Sequence, residues 1–160
     1  SEAIYAKEYL NSKFITSSAS SFENQIFLPF LNECNDQIHF DTNATIVACF
    51  AVAGPVKNNC CILTNLGGDD PTTLDGSSIE GSNDGLLKCI KRCKVVNDFV
   101  GQGYGLLDLD LDKEVAELVP GSKAMIEPLG PKACLGAGTG LGECYLTTSS
   151  LHPEDGYECY

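Results

Sequence analysis

At 160 residues, with 43% hydrophobic and 20% charged side chains, the chain has apolar material for one folded core or two small ones. Ten basic against twenty-two acidic residues leave a net charge of −12, which repels phosphate backbones and argues against nucleic-acid binding. No apolar run reaches about 18 residues, so no membrane-spanning helix is expected. The opening Ser1-Glu2-Ala3-Ile4 has neither the layout of a secretory signal nor an initiator Met, which suits a fragment and a processed product equally.

In chain order, residues 4–10 predict a strand and residues 16–21 a Ser-rich turn. Ser20 with Glu23 fits a capping box opening a helix, whose apolar face carries Phe22, Ile26, Phe27, Phe30 and Leu31. Pro29 falls inside that pattern and predicts a kink or a later start. Residues 45–52 are almost continuously apolar, as in a strand covered on both faces. Gly54-Pro55 and Asn58-Asn59 supply turns, and residues 60–64 return as the next strand. Residues 67–85, rich in Gly, Asp, Ser and Asn, read as an exposed loop.

A short helix over 86–91 and a short strand over 94–96 follow, the strand running into Asn97-Asp98. Residues 108–117 are acidic. Residues 124–126 and 133–135 predict strands, and 143–147 the last one. This order implies an α/β fold with a mixed sheet rather than a purely parallel one.

The nine cysteines are Cys34, Cys49, Cys60, Cys61, Cys89, Cys93, Cys134, Cys144 and Cys159. Their number is odd, no Cys-x-x-Cys occurs, and only His39 and His152 could supplement a zinc site. They read as buried, reduced thiols of a cytoplasmic protein, with neither disulfide nor metal.

Three segments could carry chemistry. In Gly136-Ala137-Gly138-Thr139-Gly140-Leu141-Gly142, alternate glycines let backbone amides approach a ligand closely, and with the Thr139 hydroxyl they could cradle phosphate. The run is no dinucleotide fingerprint, because Leu141 stands at the third glycine position, and no P-loop Gly-Lys-Ser/Thr occurs. A glycine-rich hairpin without ligand is the alternative. Asn97-Asp98 follows an apolar strand, where sites form in open α/β sheets, and Asp98 could take a proton from a substrate hydroxyl. Alternatively the pair caps a following helix, one weakened by Gly101, Gly103 and Gly105 at ~1 kcal/mol each. Asp108, Asp110 and Asp112 fail the calcium-loop pattern at Lys113 and Val119 and read as a solvated acidic edge.

Taken in order, Ala51-Val52-Ala53-Gly54-Pro55-Val56 through Thr64-Asn65-Leu66, then Val96-Asn97-Asp98-Phe99, then the glycine run, resemble the bacterial-type glucokinases of the hexokinase and actin-like ATPase superfamily. The similarity runs from about residue 4 to about residue 147. It implies an actin-like ATPase (ribonuclease H-like) fold. Residues 1–160 would form the N-terminal small-domain region, without the C-terminal large domain. It implies ATP-dependent phosphorylation of glucose to glucose 6-phosphate, with Mg²⁺ held largely by ATP. Carried over, Asn97 and Asp98 bind the sugar, Asp98 is the base, Asn65 lies near the sugar side, and Gly136 to Gly142 face the ATP phosphates. The resemblance allows a homodimer of the full-length enzyme.

Three departures stand out. The family's Asp-x-Gly-Gly-Thr-Asn motif would precede residue 4, its Glu-Gly-Gly-His motif would follow residue 160, and its aromatic residue after Thr64-Asn65 is missing. The expectation is therefore a glucokinase parent whose 160-residue portion is not a working enzyme by itself. The alternatives are a non-catalytic sugar-kinase-like module for binding or regulation, and a kinase for another hexose.

Overall fold

The computed structural model describes residues 5–8, 22–41, 43–63, 72–137, 141–148 and 156–160. The chain divides into two compact units, residues 1–97 and 98–160, each with its own packing. Both mix helix with sheet. The described strands form one parallel pair and two three-stranded antiparallel sheets.

In the first unit a π-helical turn, Glu23–Phe27, leads into helix α1, Leu28–Ile38. Pro29 stands in the first helical turn, where its missing N–H costs nothing, so of the two expected outcomes the later α-helical start is realised. Of the expected apolar stripe Phe27 and Leu31 are buried and Phe22, Ile26 and Phe30 half-buried, while Cys34 is buried on the same helix. The helix stops at His39 in the left-handed region (φ 48°), with its N–H on the Asn35 carbonyl at 2.8 Å. Ser20 of the expected capping box lies outside the described residues.

The strand expected over 4–10 is not formed in its described part. Residues 5–8 have no regular structure; their side chains clamp onto α1 instead. The Tyr5 hydroxyl donates to Glu33 at 2.9 Å, Lys7 pairs with Glu33, and the Tyr5 and Phe30 rings lie 5.6 Å apart.

Strand β1, Ile46–Val52, alternates between half-buried and exposed residues. Ile46, Ala48, Phe50 and Val52 pack on the core, and Phe50 meets Phe27 edge-on at 4.8 Å. Val47 (68% exposed), Cys49 and Ala51 face outward, so the expected two-sided cover is not present among the described residues. Strands β2, Val56–Lys57, and β3, Cys60–Leu63, form a hairpin across Asn58 (φ 52°) and Asn59 (φ 62°), the left-handed pair that a two-residue I′ turn requires.

The exposed loop expected over 67–85 is corrected by the structure. Strand β4, Thr72–Asp75, pairs antiparallel with β3 and buries Thr72 and Leu74, the latter 1% exposed. Asp75 then caps the short helix α2, Gly76–Glu80, accepting from the Ser77 amide at 2.9 Å, and α2 buries Ile79 completely. The Gly, Asp and Ser content that reads as loop is here the capping chemistry of a small packed element. A 3₁₀ turn, Gly85–Cys89, replaces the helix expected over 86–91.

Strand β5, Ile90–Asn97, is longer than expected and runs parallel to β1, from Ile46↔Ile90 to Val52↔Asn97. Its outer edge is met by side chains. Asn59 donates from Nδ2 to the Cys93 carbonyl (2.9 Å) and accepts the Val95 amide at Oδ1 (2.8 Å), while Glu80 accepts the Cys93 amide (3.0 Å).

In the second unit helix α3, Asp98–Leu106, lies on the antiparallel sheet of β6, Lys132–Ala137, β7, Leu141–Thr148, and β8, Tyr157–Cys159. Strand β8 extends the sheet beyond the strand expected to be last. The three glycines do not prevent α3, and Gly103 shows why. A Cβ there would lie 2.6 Å from both the Cys144 and Cys159 sulfurs, so only glycine lets the helix approach this closely. The opposite sheet face carries Leu135 (67% exposed) and Leu141 (72%) outward.

Residues 124–126, expected as a strand, instead close a 3₁₀ turn, Ser122–Met125, with Ile126 as the residue that follows it. Glu117 fixes that turn by accepting the Lys123 amide at 2.6 Å and the Gly121 amide at 3.3 Å, which holds its carboxyl below the usual range. Asp110 is likewise held low, by the Lys113 ammonium and then by the Asp112 amide.

All nine cysteines are free thiols. Burial, then Glu80, pushes the Cys93 thiol up to about 11, whereas Cys49 is exposed. Thiol titration in denaturant should find nine groups, and native alkylation near pH 8 should label Cys49 early and Cys93 last. Seven or fewer groups in protein purified without reductant would reveal a disulfide. Leu74→Ala should cost about 2–5 kcal/mol in denaturant unfolding against under about 1 for Thr73→Ala; equal, small losses would return residues 72–75 to a loop.

Candidate functional site

The parallel pairing of β1 with β5 delivers Asn97 to the carboxyl end of a strand, the end where ligand sites form in α/β sheets. Asn97 is half-buried, and its Nδ2 donates to the Gly54 carbonyl at 3.1 Å, which ties the strand end to the turn leaving β1. Asp98 follows directly as the first residue of α3. A carboxylate in the first turn of a helix interacts favourably with the unsatisfied amides there. Asp98 Oδ1 accepts the Phe99 amide at 3.1 Å, and the side chain is half-buried. Both readings of the pair therefore meet in one place, a strand end and a helix start.

The glycine run is a β-hairpin. Strands β6 and β7 pair antiparallel up to Gly136↔Gly142 and Ala137↔Leu141. Gly138, Thr139 and Gly140 lie outside the described residues, as does Asn65. Gly136 and Gly142 are not among the described glycines at positive φ, so the left-handed geometry expected of the run does not extend to its base. Their reason for being glycine is contact. A Cβ on Gly142 would lie 1.8 Å from Phe99 Cε2, and one on Gly136 would lie 2.6 Å from Phe99 Cζ. The ring of Phe99 thus occupies the space that the sequence reading reserved for a ligand at these two positions.

Phe99 and Asn59 are the residues that sequence reasoning passed over. Phe99 carried a signal, an aromatic side chain next to the Asp in a chain with alternate glycines downstream. Asn59 looked like a turn residue and is one, but its side chain also serves β5.

Two hollows lie away from these residues. One, about 380 Å³ in the first unit, is lined by Phe22, Phe27, Phe30 and Phe50 among others; another, about 890 Å³ in the second, by Leu109, Leu111, Met125 and Lys132 among others. Both are mainly apolar. Among the described residues no group of three or more His, Cys, Asp or Glu side chains is placed to hold a metal ion, and no helix is long and apolar enough to cross a membrane.

Known sequences bear on this arrangement. A sequence model of the glucokinase family matches residues 7–154. Among curated proteins, a Synechocystis glucokinase is 39% identical over 99 residues, covering 62% of this chain and 24% of the relative. A Nostoc glucokinase is 37% identical over 99 residues, covering 62% and 25%, and a Helicobacter pylori glucokinase 32% over 121 residues, covering 76% and 31%. The chain thus spans about a quarter to a third of the length of these relatives. No solved structure gives a significant match. With the Asn-Asp strand end and the glycine hairpin both inside the matched span, the chain belongs to the glucokinase family.

Proposed function

We propose that this chain is the N-terminal small-domain region of an ATP-dependent glucokinase with the actin-like ATPase fold, cytoplasmic, acting on glucose with ATP and Mg²⁺. The observation that carries the reading is the placement of Asp98: it heads α3, and α3 lies on the glycine hairpin. A carboxylate and the base of the glycine hairpin, Gly136 and Gly142, thus belong to one small assembly, which supports phosphoryl transfer from ATP to a hydroxyl. The outward apolar residues of β1 and of the β6–β7 sheet support a longer protein whose further parts cover them.

In this mechanism Asn97 and Asp98 hold the sugar, and the family resemblance assigns Asn65 to the sugar side. Asp98 accepts the proton of the 6-hydroxyl as that oxygen attacks the γ-phosphorus. The bond from phosphorus to the bridging oxygen breaks, its electron pair stays on that oxygen, and ADP leaves. The amides of 138–140 and the Thr139 hydroxyl bind the phosphate oxygens. Mg²⁺ would come with ATP and would lower the charge on its phosphates.

A non-catalytic module is the second reading, favoured by one observation: Phe99 accounts for Gly136 and Gly142 without any ligand. A coupled assay on the full-length gene product separates the two. Glucose-dependent ADP release is expected, and Asp98→Asn should lower turnover about 10²–10⁴-fold with little change in sugar affinity. Undiminished turnover in that variant removes Asp98 from the chemistry. Gly138→Val should weaken ATP more than glucose, because a side chain enters the space the phosphates need; an equal loss of both would detach the hairpin from ATP.

A further inference from the structure

We propose that Cys134, Cys144 and Cys159 form a redox modification site, in which hydrogen peroxide joins the buried Cys144 to one of its two neighbours as a reversible disulfide. The inference is independent of the kinase reading, because none of the three has a role in it.

The sheet register brings the three thiols together. Cys134 and Cys144 face each other directly across β6 and β7. Cys159 pairs with Leu146, two residues along β7 from Cys144, so its side chain leaves the sheet on the same face. Each of the three lies between exposed residues, and all turn to the face that α3 covers. A Cβ on Gly103 would lie 2.6 Å from both the Cys144 and Cys159 sulfurs, so those sulfurs are no more than about 5.2 Å apart, twice that distance. The Cys144 thiol is hydrogen-bonded to Cys159 on one side and to Cys134 on the other. Residues directly opposite in an antiparallel pair have Cβ atoms about 4.5–5.5 Å apart, and a disulfide needs about 3.5–4.5 Å, so a small approach closes the Cys134–Cys144 pair. The diagonal pair needs a larger shift, which β8, only three residues long, can make. Other cysteines lack this arrangement: Cys60 and Cys61 are adjacent in one strand and point to opposite faces, and Cys49 is exposed while Cys93 is buried.

Burial divides the labour. Cys144 is 1% exposed, and burial, then its bond to Cys159, pushes its thiol up, so it does not meet the oxidant first. Cys134 and Cys159 are half-buried. The thiolate of one of them attacks a peroxide oxygen; the O–O bond breaks, hydroxide leaves, and the sulfur becomes a sulfenic acid. The deprotonated Cys144 sulfur then attacks that sulfur; the S–S bond forms, the S–O bond breaks, and a second hydroxide leaves. The two hydroxides take up the two thiol protons. Two thiols have thus lost two electrons, and one peroxide has become two waters.

The test uses the full-length protein, reduced, desalted and treated with hydrogen peroxide in slight molar excess at neutral pH. Free thiols are then alkylated in denaturant and disulfides mapped by mass spectrometry of the peptides. A bridge from Cys144 to Cys134 or Cys159 should be the main product, and dithiothreitol should open it. Cys144→Ser should lower the bridged fraction of the cluster at least about ten-fold, with Cys134 and Cys159 advancing to sulfinic acid instead. Cys134→Ser and Cys159→Ser should each keep it within about two-fold, through the pair that remains. If Cys144→Ser does not fold, the map of the unsubstituted protein and the two outer variants decide. Three cysteines that stay free or pass straight to sulfinic acid overturn the inference. So does an undiminished Cys134–Cys159 bridge in Cys144→Ser, or a bridge that survives in only one outer variant.

Discussion

A parallel strand pair cannot be closed by a tight turn, and the first unit is organised around that constraint. Between β1 and β5 the chain must travel back the length of the sheet, and it does so through β2, β3, β4, α2 and a 3₁₀ turn. Among the described residues, no strand pairs with the outer edge of β5. Asn59 and Glu80 meet that edge instead, satisfying the Cys93 carbonyl and the Cys93 and Val95 amides with side-chain groups. Each such bond contributes roughly 0.5–1.5 kcal/mol net, and more is lost when a part-buried backbone group is left without one. The left-handed turn at Asn58-Asn59 is thus used twice, to reverse the chain and to aim an amide at β5. Asparagine serves both ends, since it tolerates positive φ and its amide both donates and accepts. Asn97 lies at the end of the strand held in this way.

The parts legible in the sequence are those where one local signal dominates. The apolar runs gave β1 and the centre of β5, Asn58-Asn59 the hairpin, and the glycine run between apolar segments β6 and β7. Where composition and packing disagree, composition misled. Thr72 to Glu80 looks like loop because Asp, Gly and Ser outnumber the two residues, Leu74 and Ile79, that decide its burial. In α3 the glycines count against a helix by propensity, yet Gly103 is required by the two sulfurs beneath it. Propensity describes an isolated helix, and contact with a sheet overrides it. The strand expected at 124–126 failed for a related reason, because the Glu117 carboxylate gathers the surrounding amides into a turn.

The candidate site was legible as a set of residues but not as a division of labour. Asn97, Asp98 and the glycine run stand out by sequence, and the family match covers all of them. What the sequence could not distinguish is which glycines pack against the protein. Alternation alone treats Gly136, Gly138, Gly140 and Gly142 alike. The Phe99 ring separates the outer two, committed to packing, from the inner positions left to the turn.

This division has an electrostatic consequence for a chain with a net charge of −12. Its single arginine, Arg92, is exposed on β5, and Lys113, Lys123 and Lys132 are engaged with Asp110, the Leu111 carbonyl and Tyr157. On the kinase reading, main-chain amides and the metal carried by ATP would carry much of the phosphate charge. Amides act as dipoles, whose influence falls with distance faster than that of a full charge and depends on angle. A phosphate site built from them tolerates less misplacement than one built from flexible lysines. It therefore needs a stiff mount, and a hairpin pinned at its base by an aromatic ring on two facing glycines is one. On that reading, the packing of Phe99 against Gly136 and Gly142 would matter to phosphate binding through the stiffness it gives the base of the hairpin.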